Sequence, residues 1–255
     1  MCMQSNGVRP VQKWRWAGDE IVSPAIPASR KVPGSKIARF PMDVRGFLAI
    51  EHDAVVRSFL QDKIIAPLPS AVAREKFWRD GQGNFDFRIG AIKRAFQALN
   101  YLNGGRRFDA WQFPEETLVR RGGDCEDLAF LLAALLEAAG ISPDCIRVAL
   151  GAVVDHSRPR QHPHDHAWVM YQTEKGMWLL LDPVSWVRET SNSGHGGRAA
   201  GRTPPADLEY IPYYVFNRHH LWRIRSPQFT GSGTVPWLRF RCSTTFSAIV
   251  AHESF

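Results

Sequence analysis

Gly122-Gly123-Asp124-Cys125-Glu126-Asp127-Leu128-Ala129 opens the stretch on which the reading of this chain turns, and Leu131, Leu132, Leu135, Leu136, Ala139 and Gly140 complete it. The two glycines make a turn. Asp124 is a residue type favoured at a helix N-cap, and Glu126 and Asp127 fall in the first turn, where carboxylates suit the positive end of the helix dipole. Leu128, Leu131, Leu132, Leu135, Leu136 and Ala139 recur at helical spacing and predict a buried stripe. Gly140 is placed to cap the C-terminus. Cys125 is then the opening residue of a helix. Amide groups and dipole at a helix start stabilise a thiolate, the reactive form of cysteine. Glu126 and Asp127 oppose that effect, so a neighbouring imidazole is needed to complete a thiolate–imidazolium pair. Taken alone, Cys125 also reads as a small, half-buried residue at a helix end.

Downstream, Ile146, Val148, Leu150, Ala152 and Val154 alternate and predict a strand. Residues 155–165 read as a polar loop with Pro159, Pro163 and three histidines. Two strands follow, Ala167 to Gln172 and Met177 to Leu181, joined by a short turn containing Gly176. His166 stands at the head of the first. Histidine is the usual base for a thiol because it titrates near neutrality, although a loop-end histidine needs no such role. Asp182 follows Leu179-Leu180-Leu181, and a carboxylate after an apolar strand must reach solvent or find a partner. Asp before Pro183 is also a common turn pattern.

Register connects the two. If Glu174-Lys175-Gly176 is a three-residue hairpin loop with Gly176 in the left-handed position, Thr173 opposes Met177. His166 would then lie across from Val184, and Asp182, two residues from Val184, would share its face. The diagonal is on the order of 7–8 Å at the backbone and shorter between side chains. A two-residue loop would send Asp182 to the opposite face.

Gly123-Asp124-Cys125-Glu126-Asp127-Leu128-Ala129, His166-Ala167-Trp168-Val169 and Leu181-Asp182-Pro183 together resemble the transglutaminase-like superfamily. Trp111 and Pro114-Glu115-Glu116-Thr117-Leu118 ahead of the cysteine resemble its bacterial cysteine peptidases in particular. The resemblance spans about Trp111 to Pro183. It implies an α+β fold with a papain-like core, in which a Cys-bearing helix packs on an antiparallel β-sheet carrying His and Asp. It implies a Cys125–His166–Asp182 triad. The expected activity is that of a cysteine protease or amidase working through an acyl-thioester on a protein or peptide substrate. The alternatives are a protein-crosslinking transglutaminase and a non-enzymatic binding module on the same scaffold. Some bacterial members bind calcium through acids flanking the cysteine, and Asp124 and Glu126 match those positions. Read from the residues alone, these two are first a cap and a dipole partner, and no cofactor is expected. The calcium-dependent members are exported proteases that release surface adhesins.

Toward the N-terminus, residues 44–65 predict an amphipathic helix ended by Pro67 and Pro69, and Phe87 to Leu102 a second one stopped by Asn103-Gly104-Gly105. The organisation expected is an N-terminal arm over 1–43, a core with preceding helices over 44–189, a loop or linker over 190–206, and C-terminal strands over 207–255 that complete the core. Among the last, Tyr210 to Phe216 and Leu221 to Ile224 look like strands.

Composition excludes several classes. With 44% hydrophobic and 22% charged residues among 255, wholesale disorder does not fit. The net charge of +7 is spread over short groups such as Arg106-Arg107, Arg120-Arg121 and Arg218 to Arg225. None forms a nucleic-acid motif, so a nucleic-acid partner is not expected. Cys2, Cys125, Cys145 and Cys242 lack a Cys-x-x-Cys pair, which argues against redox work, and read as free thiols. The first residues lack the apolar core of a secretory signal and no apolar run reaches the roughly 20 residues that cross a bilayer, so a cytoplasmic location is the expectation. His156, His162, His164 and His166 with Asp155 and Asp165 follow no standard zinc spacing.

Overall fold

The structure, a computed structural model, describes residues 10–11, 18–20, 26–31, 37–49, 53–79, 84–102, 110–157, 162–189 and 208–224. Cys2, Cys242, Arg106-Arg107, the Asn103-Gly104-Gly105 stop and the 190–206 loop lie outside these.

The strands in chain order are β1 (Pro10–Val11), β2 (Gly18–Glu20), β3 (Ile26–Lys31), β4 (Ile37–Met42), β5 (Asn100–Tyr101) and β6 (Gly122–Gly123). After them come β7 (Ile146–Asp155), β8 (His164–Gln172), β9 (Trp178–Leu181), β10 (Arg188–Glu189), β11 (Leu208–Phe216) and β12 (Leu221–Ile224). The α-helices are α1 (Asp53–Phe59), α2 (Ala71–Trp78), α3 (Asn84–Phe96), α4 (Pro114–Arg120) and α5 (Cys125–Ala138).

Seven strands form one antiparallel sheet in the order β1-β9-β8-β7-β11-β12-β2. Its centre is the meander β7-β8-β9 with β11 added on the other side of β7. Residues from the predicted C-terminal segment therefore sit in the same sheet as His166. Helix α5 packs on β7 and β8, and α1, α3 and α4 pack against α5 in turn. This sandwiching changes the expected stripe. Every residue from Cys125 to Leu136 is buried, including Ala129, Phe130 and Ala133 on the side away from the leucines. A helix apolar on all sides is one enclosed by other elements. The fold is thus α+β, with the helix that starts at Cys125 laid on an antiparallel sheet.

Three expected elements differ. The helix predicted over Phe87 to Leu102 is α3, which ends at Phe96, and Asn100–Tyr101 within that span is strand β5. The apolar period over 44–65 is real, since Val44, Phe47, Leu48, Val56, Leu60, Ile64 and Ile65 are all buried. It is built from separate pieces, however. Val44–Leu48 is a 3₁₀ helix, Ala49 turns to extended geometry, and α1 then runs into a π-helical turn over Leu60–Ile65. Asp43 accepts from the Arg45 amide and Gly46 bonds back to Asp43, which closes the short turn locally. The polar loop over 155–165 is also shorter than expected. His164 and Asp165 already pair with Val153 and Ala152 of β7, so strand order wins over local polarity.

Candidate active site

The site begins at β6. Residues Gly122 and Gly123 pair in parallel with Asn100 and Tyr101, which delivers the chain to the start of α5. Asp124 is extended at the N-cap, and its carbonyl accepts the first helical bond from Leu128 at 3.1 Å. Asp127 folds back to accept from the Asp124 amide at 3.3 Å. A Cβ on Gly123 would collide with the Asp127 side chain, so a glycine is required for this closure.

Asp127 also accepts from the Gln112 amide at 2.7 Å and from the Gln112 side-chain amide. Burial pushes the Asp127 carboxyl up to about 6, against the pull of these Gln112 and Asp124 donors. Gln112 is thus the residue that locks the segment before α4 onto the first turn of α5. The sequence offered no signal for it beyond its place beside Trp111.

Cys125 is 3% exposed. Its Sγ lies 3.2 Å from Glu126 Oε2. That geometry suits a protonated thiol donating to a carboxylate. Glu126 is itself buried, as are Asp124 and Asp127. Each of the three can offer a carboxylate oxygen within 4.8 Å of the others. Three buried carboxylates in one helical turn repel one another. A hard divalent cation such as calcium, which takes oxygen ligands at about 2.3–2.6 Å, would relieve that repulsion. The residues that would hold such an ion are Asp124, Glu126 and Asp127.

The β8–β9 hairpin supplies the other side. Gly176 has φ 77°, and its amide bonds to the Thr173 carbonyl at 2.8 Å. The Thr173 amide donates to the Met177 carbonyl at 2.8 Å, so the loop has three residues. Val169 pairs with Leu181 and Gln172 with Trp178 in the same register. The strand then ends, and Asp182 caps the 3₁₀ turn Pro183–Trp186 by accepting from the Val184 amide at 3.0 Å.

His166 and Asp182 meet directly. His166 Nε2 is 3.0 Å from Asp182 Oδ2, with the His166 side chain fully buried and that of Asp182 3% exposed. Tyr210 Oη donates to the same Oδ2 at 2.7 Å. Burial by itself would raise the Asp182 carboxyl. The His166 charge and hydrogen bond, the Tyr210 hydroxyl and the Val184 amide outweigh it and hold the carboxyl below its usual value. An ionised carboxylate only accepts, so Nε2 carries a proton in this contact, and whenever His166 is neutral Nδ1 is its basic nitrogen. Trp168 stacks beside the His166 ring, with centroids 6.0 Å apart.

Alternation along β8 and β9 orders the surroundings. Ala167, Val169, Tyr171 and Leu181 join the main core with α5, whereas Trp168 and Met170 belong to a second apolar cluster with Tyr210. Helix α5, headed by Cys125, packs on β8 and on the 3₁₀ turn that Asp182 caps. Tyr210, like Gln112, is a site residue that the sequence does not single out. It appeared there only as one member of a strand.

Residues 89–183 match the transglutaminase-like superfamily, a span that contains Cys125, His166 and Asp182. Among solved structures, LapG of Legionella pneumophila is 20% identical over 67% of this chain and 87% of its own, with a TM-score of 0.40. Calcium-bound LapG of the same organism is 22% identical over 67% and 91%, with a TM-score of 0.38. The periplasmic domain of TgpA from Pseudomonas aeruginosa, bound to ethylmercury, is 19% identical over 62% and 63%, with a TM-score of 0.34. No curated protein matches the chain. Residues 89–183 thus carry the likeness to the transglutaminase-like superfamily, and Tyr210 lies outside that span.

Proposed function

We propose that the protein is a cysteine-nucleophile acyl-transfer enzyme, acting as a protease or amidase on a protein or peptide substrate. The observation that carries this reading is the buried His166–Asp182 pair, joined at 3.0 Å through Nε2. Burying an imidazole and a carboxylate costs solvation, and the cost is met here by three donors on one carboxylate. The arrangement leaves Nδ1 as the nitrogen able to take a proton.

In the proposed reaction Nδ1 of His166 takes the Cys125 thiol proton, which in the resting geometry is directed at Glu126. The thiolate Sγ attacks the carbonyl carbon of an amide. In this reading the Cys125 backbone amide, at the helix start, is the candidate donor to the oxyanion. The C–N bond breaks, the departing nitrogen takes the proton from His166, and an acyl-thioester remains. Water, deprotonated by the same imidazole, then releases the acid and restores the thiol. Asp182 holds the imidazole in the Nε2–H tautomer and stabilises the imidazolium. Calcium, held by Asp124, Glu126 and Asp127, would offset the negative charge beside Cys125 and so favour the thiolate.

The test is a peptide-library digestion read by mass spectrometry, with and without added primary amine, comparing wild type with Cys125→Ala. Cleavage that is lost in the variant supports the reading. Amine incorporation in place of cleavage would make the protein a crosslinking transglutaminase. Neither product from a folded wild type, together with ordinary thiol reactivity at Cys125, would make it a binding module and overturn the proposal.

A further inference from the structure

Oδ2 of Asp182 receives two hydrogen bonds, from His166 Nε2 at 3.0 Å and from Tyr210 Oη at 2.7 Å. Oδ1 takes a third from the Val184 amide at 3.0 Å. With Val184 alone the carboxylate could still rotate about its last bond. The two side-chain donors on Oδ2 remove that freedom.

Tyr210 reaches this position from β11, where it pairs with Val153 of β7. Val153 in turn pairs with His164 of β8. Both β7 and β8 stand between β11 and β9 in the sheet, and the Tyr210 hydroxyl bonds Asp182 just past the end of β9. Gly151, opposite His166 in β7, has no side chain to stand between them. The Tyr210 ring is held on two sides. It lies 4.7 Å from the Trp168 ring and 6.0 Å from the His166 ring, at 28° to the latter. Tyr210 is 3% exposed, so water does not compete for its hydroxyl.

We propose that Tyr210 is a positioning residue, which fixes the imidazole of His166 by donating to the carboxylate oxygen that His166 itself uses and by packing along the imidazole ring. This rests on the reading of Cys125, His166 and Asp182 as a nucleophilic triad. Tyr210 meets the carboxylate of Asp182 through its hydroxyl. It acts through Asp182, and a phenylalanine would keep its packing while removing its hold on the carboxylate. Hydrogen bonds to charged groups are among the stronger ones, so the loss should be felt in the rate.

The test compares wild type with Tyr210→Phe in the full chain, using two readouts. One is the rate of iodoacetamide alkylation at Cys125 at fixed neutral pH, resolved by peptide mass spectrometry. The other is the Nε2–H resonance of His166 in protein labelled with ¹⁵N-histidine. The expected result is an alkylation rate about tenfold lower, with the Nε2–H signal shifted or exchange-broadened and the folded fraction unchanged. Where a peptide substrate is in hand, kcat should fall with KM nearly constant. An unchanged rate and an unchanged resonance would overturn the proposal, as would a slower rate with the His166 signal unmoved. Wild-type Cys125 that reacts no faster than a free thiol would instead sink the triad reading, and the His166 resonance alone would then decide whether Tyr210 holds the pair.

Discussion

Thr173 and Met177 face each other across a three-residue turn, the Thr173 amide donating to the Met177 carbonyl at 2.8 Å. Every pair above it, from Gln172 with Trp178 to Val169 with Leu181, inherits that register. The face on which Asp182 emerges is therefore decided at the turn, well away from the site. Deleting Lys175 should leave a two-residue loop and shift the pairing by one, which moves β9 side chains to the other face. The His166–Asp182 contact should be lost, read as disappearance of the protected Nε2–H resonance. Gly176→Val should behave differently. It forces a β-branched residue into φ 77° and should cost about 1–2 kcal/mol in chemical denaturation while keeping the contact.

The legible parts of the site were those set by local chemistry. Asp124 as cap, Cys125 at the helix start, Gly176 in the left-handed turn and the shared face of His166 and Asp182 all follow from short-range rules. What could not be read was set by distant pairing. Tyr210 lies 28 residues from Asp182 and Gln112 lies 15 from Asp127, and nothing in either local pattern specifies the partner. The helix over 44–65 failed for a related reason. Its apolar spacing reports burial, which three successive short helical segments satisfy as well as one helix does.

His164 gives a prediction on pH. Burial, aided by the charge of His166, pushes its imidazole down to about 4, while Asp155 and Asp182 pull the other way. The unfolded chain takes up a proton below about 6.5, whereas the folded protein resists until about 4. The unfolded state thus binds more protons in that window, and stability should fall as pH drops from 6.5 to 4. His164→Gln should flatten this part of the melting-temperature profile. An identical slope in the variant would show that other groups carry the acid sensitivity.

The acidic turn gives a prediction on metal. Asp124 and Glu126 are buried beside Asp127, with ligand oxygens within 4.8 Å of one another. Calcium that binds the folded protein only should raise its melting temperature in proportion to the logarithm of concentration above the dissociation constant. Magnesium, which dehydrates reluctantly, should do less. Asp124→Asn with Glu126→Gln should abolish the calcium shift. A shift that survives both changes would place the ion elsewhere.

Asp182 gives the sharpest test because removing it has two separable consequences. Its carboxyl is held below the usual value, so it stabilises the fold above about pH 4, and that contribution is lost as pH falls through the lowered value. Asp182→Ala should therefore melt earlier at neutral pH and lose less than wild type on acidification. It also leaves the Nε2–H of His166 and the Tyr210 hydroxyl without their acceptor. The imidazole is then free to adopt the other tautomer. By analogy with serine-protease triads, turnover should fall on the order of 10³–10⁴. Asp182→Asn separates charge from shape. Its side-chain oxygen can still accept one of these bonds, so its loss should be smaller than that of alanine, as fits cysteine enzymes that use asparagine in this place. Equal, near-wild-type turnover in both variants, measured on folded protein, would show that the pair supports the fold and has no part in the chemistry.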